Sequence, residues 1–368
     1  MSKIQSERLI QHFIELVKID SESRNEKAIS ETLAEQLGQL GFEVHKQSVD
    51  PAISNGHNLY ARLDGELAGS VLLSCHMDTV TPGNGIEPVI EDGIIRSKGE
   101  TILGGDDKSG IAAIMEAVRS LREQGQAHQS IELALTVNEE CGLHGSKAFD
   151  MTAVQSQHAI VLDSGGPIGT VITVAPGQES LSVTVTGKPA HAGLAPETGI
   201  NALTVAADAI GKMKLSRIDE ETTANIGVVQ GGSATNIVMP SLTLEAEARS
   251  LDDDKLDAQV NHMVATFEAA AECHGAQVSI ERSRSYNAYR IDEADPLVTG
   301  VVAAFEANGV QAQTQSTGGG SDANIFNAKG LKTVNLSTGM AKVHTCDEEI
   351  AVADLVAITE FLHTYLSR

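Results

Sequence analysis

The sequence predicts an α/β protein, a doubly wound mixed sheet interrupted by an inserted α+β two-layer domain. Three observations carry this expectation. Helix and strand patterns alternate from residue 6 to about 175, the texture changes near 176, and the alternation resumes near 289. The boundaries that follow are 1–175, 176–288 and 289–368. At 368 residues the chain is long enough for about two domains with a large core.

The first segment begins with SERLIQHFIELVKI, where Leu9, Ile10, Phe13, Ile14 and Val17 recur at helical spacing and Ser6 is placed as the N-cap. KAISETLAEQLGQLG is a second amphipathic helix, closed by Gly41. FEVHK, NLYARLDG and SVLLSCH read as strands, and EPVIEDGIIRSKG as a hairpin turning at Asp92-Gly93. After LGGDDKSG, Ile111, Ile114, Met115, Val118 and Leu121 mark one face of a helix, and IELALTVN and HAIVLD follow as strands.

The inserted segment opens with ESLSVTVTG, which alternates as a half-exposed strand does. A helix around NALTVAADAIGKM, the strands ANIGVVQGG and LTLEAEARS, a long helix from Asp252 to Cys273 and the strand AQVSIERSRSY complete a β-α-β-β-α-β order. The last segment supplies PLVTGVVAAFEANG, QAQTQST, KTVNLS and a final helix near VADLVAITEFLHTYL.

Composition narrows the function classes. The formal net charge of −24 argues against nucleic acid or an anionic membrane surface as partner. No apolar run approaches the ~20 residues that span a bilayer. The N-terminus has no apolar h-region, which points to a cytoplasmic protein. Cys75, Cys141, Cys273 and Cys346 form no CxxC pair and are expected to be reduced.

The chemistry gathers where strands end. LLSCHMD, LALTVNEE and AIVLDSGG each run from apolar residues into titratable ones. Sites in open α/β sheets form outside the carboxyl ends of strands, so His76, Asp78, Glu139, Glu140 and Asp163 are candidates for one crevice. Asp106 and Asp107 stand at a helix start, and GMAKVHTCDEE offers His344. A carboxylate beside an imidazole prepares either a metal ligand or a catalytic base.

HMDTV, GGDDKSG, NEECGLHGS, LDSGG, KPAHAG and KVHTCDE, in this order, resemble the motifs of the co-catalytic zinc exopeptidases. That family includes aminoacylase, glutamate carboxypeptidase, succinyl-diaminopimelate desuccinylase and peptidase T. GGDDKSG, HAGLAPETG and GGGSDAN look most like the peptidase T-like branch. The resemblance implies two divalent metal ions, zinc first, with cobalt or manganese as alternatives. Asp106 would bridge them, with His76 and Asp163 on one ion and Glu140 and His344 on the other. Asp78 would hydrogen-bond His76, and Glu139 would be the general base. The inserted domain would be a lid and dimerisation domain. There His191, Asn236 and Arg249 would hold substrate, together with the glycine-rich loop from Gly318 to Asp322. The implied activity is release of N-terminal residues from short peptides. Deacylation of N-acyl amino acids and a non-catalytic metal scaffold remain open as alternatives. The chain is shorter than peptidase T, and LDSGG and HAG depart from its wording.

Overall fold

The computed structural model describes residues 3–368. The chain forms two compact units. One runs up to Thr173 and includes Arg290–Ser316 and Ser321–Arg368; the other comprises Val174–Tyr289 and Thr317–Gly320. The glycines at 318–320 thus group with the second unit, although they lie far along the chain from the rest of it.

The first unit is built on a nine-stranded mixed sheet. Its spatial order is Glu43–Ser48, His57–Leu63, Ser130–Thr136, Ser70–His76, His158–Ser164, Lys332–Ser337, Thr170–Ala175 and Tyr289–Arg290, with Gln313–Ser316 also paired to Thr170–Ala175. Ser70–His76 runs parallel to both of its neighbours, and Lys332–Ser337 runs parallel to His158–Ser164. Four central strands therefore end on one side of the sheet. Val71, Leu72, Leu73 and Cys75 are all buried. This continuous run reflects a strand covered on both faces.

The helices Ser6–Val17, Gly105–Gln124, Pro296–Ala307 and Val352–Leu366 contribute Phe13, Ile114, Phe305 and Phe361 to one core with the sheet. The expected hairpin is present: Pro88–Glu91 pairs with Ile94–Ser97, and Asp92 and Gly93 both take positive φ, at 50° and 77°. Gly41, at φ 93°, closes the helix Lys27–Gln39, and Phe42 N donates to Leu37 O at 3.0 Å. The N-cap expected at Ser6 falls instead on Gln5, whose side chain makes no capping bond. Gln5 N is satisfied from far along the chain, by Glu116 Oε1 at 2.9 Å.

The second unit is a five-stranded antiparallel sheet in the order Ser216–Arg217, Thr222–Gly231, Ser241–Ser250, Gly177–Thr186, Gln277–Tyr286. The helices Ala202–Lys212 and Asp253–His274 cover one face. Leu181, Val183, Val185, Val205, Val260 and Phe267 form its own core. Strict alternation in Gly177–Thr186 is the mark of that single covered face. Asp252 caps the long helix, accepting from Lys255 N at 3.0 Å.

Candidate metal centre

His76 is the last residue of its strand and is 2% exposed. Its Nε2 lies 2.9 Å from Asp106 Oδ1 and 3.8 Å from Asp163 Oδ1. Its Nδ1 meets the backbone oxygen of Asp78 at 2.9 Å, while the Asp78 carboxylate stays 3.6 Å away. His76 is thus oriented by the Asp78 main chain, and the expected side-chain bond is absent at that distance. The Asp78 carboxylate has other work. Its Oδ1 accepts from Glu139 N at 2.9 Å, and its Oδ2 from Glu140 N at 3.2 Å and Ser23 Oγ at 2.7 Å.

The other oxygen of Asp106 faces a different histidine. His344 Nε2 is 3.3 Å from Asp106 Oδ2 and 3.0 Å from Glu140 Oε2. His344 takes a positive φ of 62° in the loop after Met340–Ala341. Asp106 therefore stands between His76 and His344 with one oxygen toward each. Its own segment is gripped by the buried Glu348, which accepts from Leu103 N and Gly104 N at 2.8 Å and Asp106 N at 3.0 Å. Asp107 is buried beside it and accepts from His76 N at 3.2 Å. Asp163 is held by Asn335, whose Oδ1 accepts from Asp163 N at 2.9 Å and whose Nδ2 donates to Asp163 O at 2.7 Å. A register shift between Asn335 and Ser337 accompanies this side-chain bridge.

Crowding sets the charge states of this cluster before any cation is added. Burial drives the Glu139 carboxyl well above the usual range, and the charges of Asp322, Glu140 and Asp78 push the same way. Burial likewise raises Asp163, with Asp106 and Glu139 adding to it. Asp106 goes down instead: burial opposes its charge, but the hydrogen bonds of His344 and His76 outweigh that cost. His344, bonded to Asp106 and Glu140, is pushed up to about 10.

The donors fit divalent cations. The donor atoms of His76, Asp106 and Glu140 lie within 4.8 Å of one another, as do those of His76, Asp107 and Asp163. Glu140 Oε1 is buried and, among the described residues, has no hydrogen-bond partner. A buried, unpaired carboxylate oxygen is costly unless a cation meets it. Imidazole with carboxylates suits zinc, and also cobalt or manganese.

The four expected substrate residues all lie in the second unit. Ala192 N donates to Asn236 O at 2.9 Å, and His191 bridges Ile237, so His191 and Asn236 stand on adjacent strands of backbone. His191 is exposed. Arg249 donates from Nε and Nη2 to the Glu247 carboxylate at 3.0 and 3.1 Å, and from Nη1 to Gly318 O at 3.3 Å. It is thus paired with a carboxylate of its own strand. Glu26, Glu348 and Asn335 were not among the residues the sequence singled out, and of these only Glu348 lies inside a motif, KVHTCDE, that could have pointed to it.

A family model described as peptidase family M20/M25/M40 matches residues 72–368. The Bacillus subtilis (strain 168) protein YqjE, itself described as uncharacterized, is 41% identical over 361 residues, 98% of this chain and 97% of its own. Among solved structures, aminopeptidase PepT from Bacillus cereus ATCC 10987 shares 42% identity at TM-score 0.93, covering 100% of this chain and 99% of that one. A tripeptidase from Staphylococcus aureus subsp. aureus Mu50 shares 36% identity at TM-score 0.97, with the same coverage.

Proposed function

The chain belongs to peptidase family M20/M25/M40, and we propose that it is a peptidase T-like aminopeptidase releasing N-terminal residues from di- and tripeptides. Two solved relatives of similar length, named an aminopeptidase and a tripeptidase, support a peptide substrate over an N-acyl amino acid. The observation that carries the reading is Asp106, whose two oxygens face His76 and His344 separately. His76, Asp106 and Asp163 would hold one divalent ion, zinc first, and Asp106, Glu140 and His344 the other. When bound, such a pair polarises a scissile carbonyl and lowers the pKa of water toward ~7.

Among the described residues Glu139 has no ion-pair partner, and it is 8% exposed. Its carboxylate takes a proton from the attacking water and passes it to the leaving amine. Asp78 orients both glutamates through their amides. His191, Asn236, Arg249 and the Gly318 backbone are assigned to substrate binding, with Arg249 reading the peptide's C-terminal carboxylate. An arginine fork matches a carboxylate, as its pairing with Glu247 illustrates. A homodimer through the second unit is part of this reading, since the Thr222–Gly231 strand exposes Val228 and Val229. No helix among the described residues is long and apolar enough to cross a membrane. A cytoplasmic setting agrees with four unpaired cysteines.

The test compares metal-reconstituted parent and Glu139→Gln on tripeptides, dipeptides and N-acyl amino acids. The parent should turn over tripeptides fastest. Glu139→Gln should keep its metal while turnover falls by ~10² or more. Faster cleavage of N-acyl amino acids would reassign the substrate, and undiminished turnover in the variant would remove Glu139 from the mechanism.

A further inference from the structure

Glu26 lies outside every motif that marks the metal centre, yet it is completely buried. Its Oε1 accepts from Arg24 N at 2.9 Å and from Asn138 N at 3.0 Å, and its Oε2 accepts from the Ser54 hydroxyl. Asn138 is the residue before the base. The next two amides in the chain, those of Glu139 and Glu140, donate to the Asp78 carboxylate. Three successive N–H groups are therefore held by two buried carboxylates from different parts of the chain.

The turn needs such a hold. Asn138 sits at φ 51°, in the left-handed region that asparagine tolerates better than most residues but still at some cost. Its side-chain amide is tied to Ile53 O. The turn continues with His144 N donating to Asn138 O at 3.0 Å and Leu143 N to Glu139 O at 2.7 Å. The backbone on both sides of Glu139 is thus pinned, which leaves its side chain a narrow set of directions.

We propose that Glu26 is a positioning residue that aims Glu139, acting through the Asn138 amide. The proposal rests on Glu139 being the base. Asp78 does a similar job but touches the backbone of a metal ligand, whereas Glu26 touches none of the ligands. Loss of Glu26 should therefore misdirect the base while leaving the ligands in place, and small displacements of a reacting group are costly in rate. Glutamine is the informative substitute. Its oxygen can keep both amides, and its NH₂ can donate to Ser54 Oγ, so hydrogen-bond capacity survives without the charge.

In the metal-loaded protein, Glu26→Ala should lower kcat by about 10–100-fold with KM changed less than about threefold and both metals retained. Glu26→Gln should recover most of that loss. The deciding measurement is the double variant. On a Glu139→Gln background, Glu26→Ala should cost less than about twofold, because there is no base left to aim. An equal cost in both backgrounds, a loss of metal, or no cost in the parent background would overturn the proposal. If Glu26→Ala does not fold, Glu26→Asp takes its place. It keeps the charge but withdraws the oxygens by one methylene, and the same coupling is expected. A Glu139→Gln variant that keeps parental turnover would instead defeat the base assignment on which the proposal stands, a result separate from failure of the coupling.

Discussion

Two regions of this molecule bury carboxylates in opposite ways. In the second unit, Glu179 is 4% exposed and meets two arginines, Arg282 Nε at 2.7 Å and Arg284 Nη2 at 2.8 Å. Arg284 also reaches Asp257, and Glu247 has Arg249. The buried carboxylate there is met by full positive charges. In the first unit, Asp78, Asp106, Asp107, Glu139, Glu140 and Asp163 crowd around His76 and His344, and among the described residues no arginine pairs with them. Backbone amides satisfy some of their oxygens but supply no full positive charge. The first cluster has the donor set that divalent cations need, whereas Glu179 in the second is met by arginine. Burial of a charge demands a partner, and the identity of that partner separates a metal centre from a structural ion pair.

The largest expected effect breaks the first region outright. Asp106 turns one oxygen to each histidine, so Asp106→Ala should remove both metals together and abolish turnover. Elemental analysis showing two retained metals would end the bridging assignment.

A second, smaller effect sharpens the contrast through pH. Without metal, Glu139 and Asp163 have folded pKa values above their ordinary 4.5 and 3.8, and His344 is raised from 6.5 to about 10. All three bind protons more tightly when folded. Their contribution is therefore full below the ordinary values and is shed as pH climbs through the raised ones. Asp106, lowered from 3.8, loses its contribution only as pH falls, so it adds no slope above about pH 5. Chelated protein should melt at a lower temperature at about pH 9 than at about pH 6, and metal should flatten that slope. Equal slopes with and without metal would show that the cluster does not need cations.

The smallest effect concerns the region of arginine pairs. If Arg249 reads a substrate carboxylate, Arg249→Ala should raise KM about three- to tenfold for peptides with a free C-terminus. Peptide amides should change far less, and metal content should not change. Equal losses for acids and amides would leave Arg249 as the partner of Glu247 alone.

Much of this was legible without coordinates. The largely apolar run ending at His76, the alternation in Gly177–Thr186 and the Asp92-Gly93 turn are local signals, and each formed the element it implied. Even the capture of Arg249 was within reach, since residues two apart on a strand share a face and Glu247 stands two positions before it. What stayed hidden were partners far apart in the chain. Glu26 meets Asn138 across 112 positions, Asn335 meets Asp163 across 172, and Glu348 meets Asp106 across 242. Periodicity and propensity act over a few residues, so the sequence alone pointed to the longer elements and to which strands end in titratable residues. Which buried carboxylate receives an amide, which an arginine and which faces only histidine depends on packing that brings distant segments together. Only the tertiary structure decided that, because a buried polar group takes whatever partner the fold places within hydrogen-bond reach.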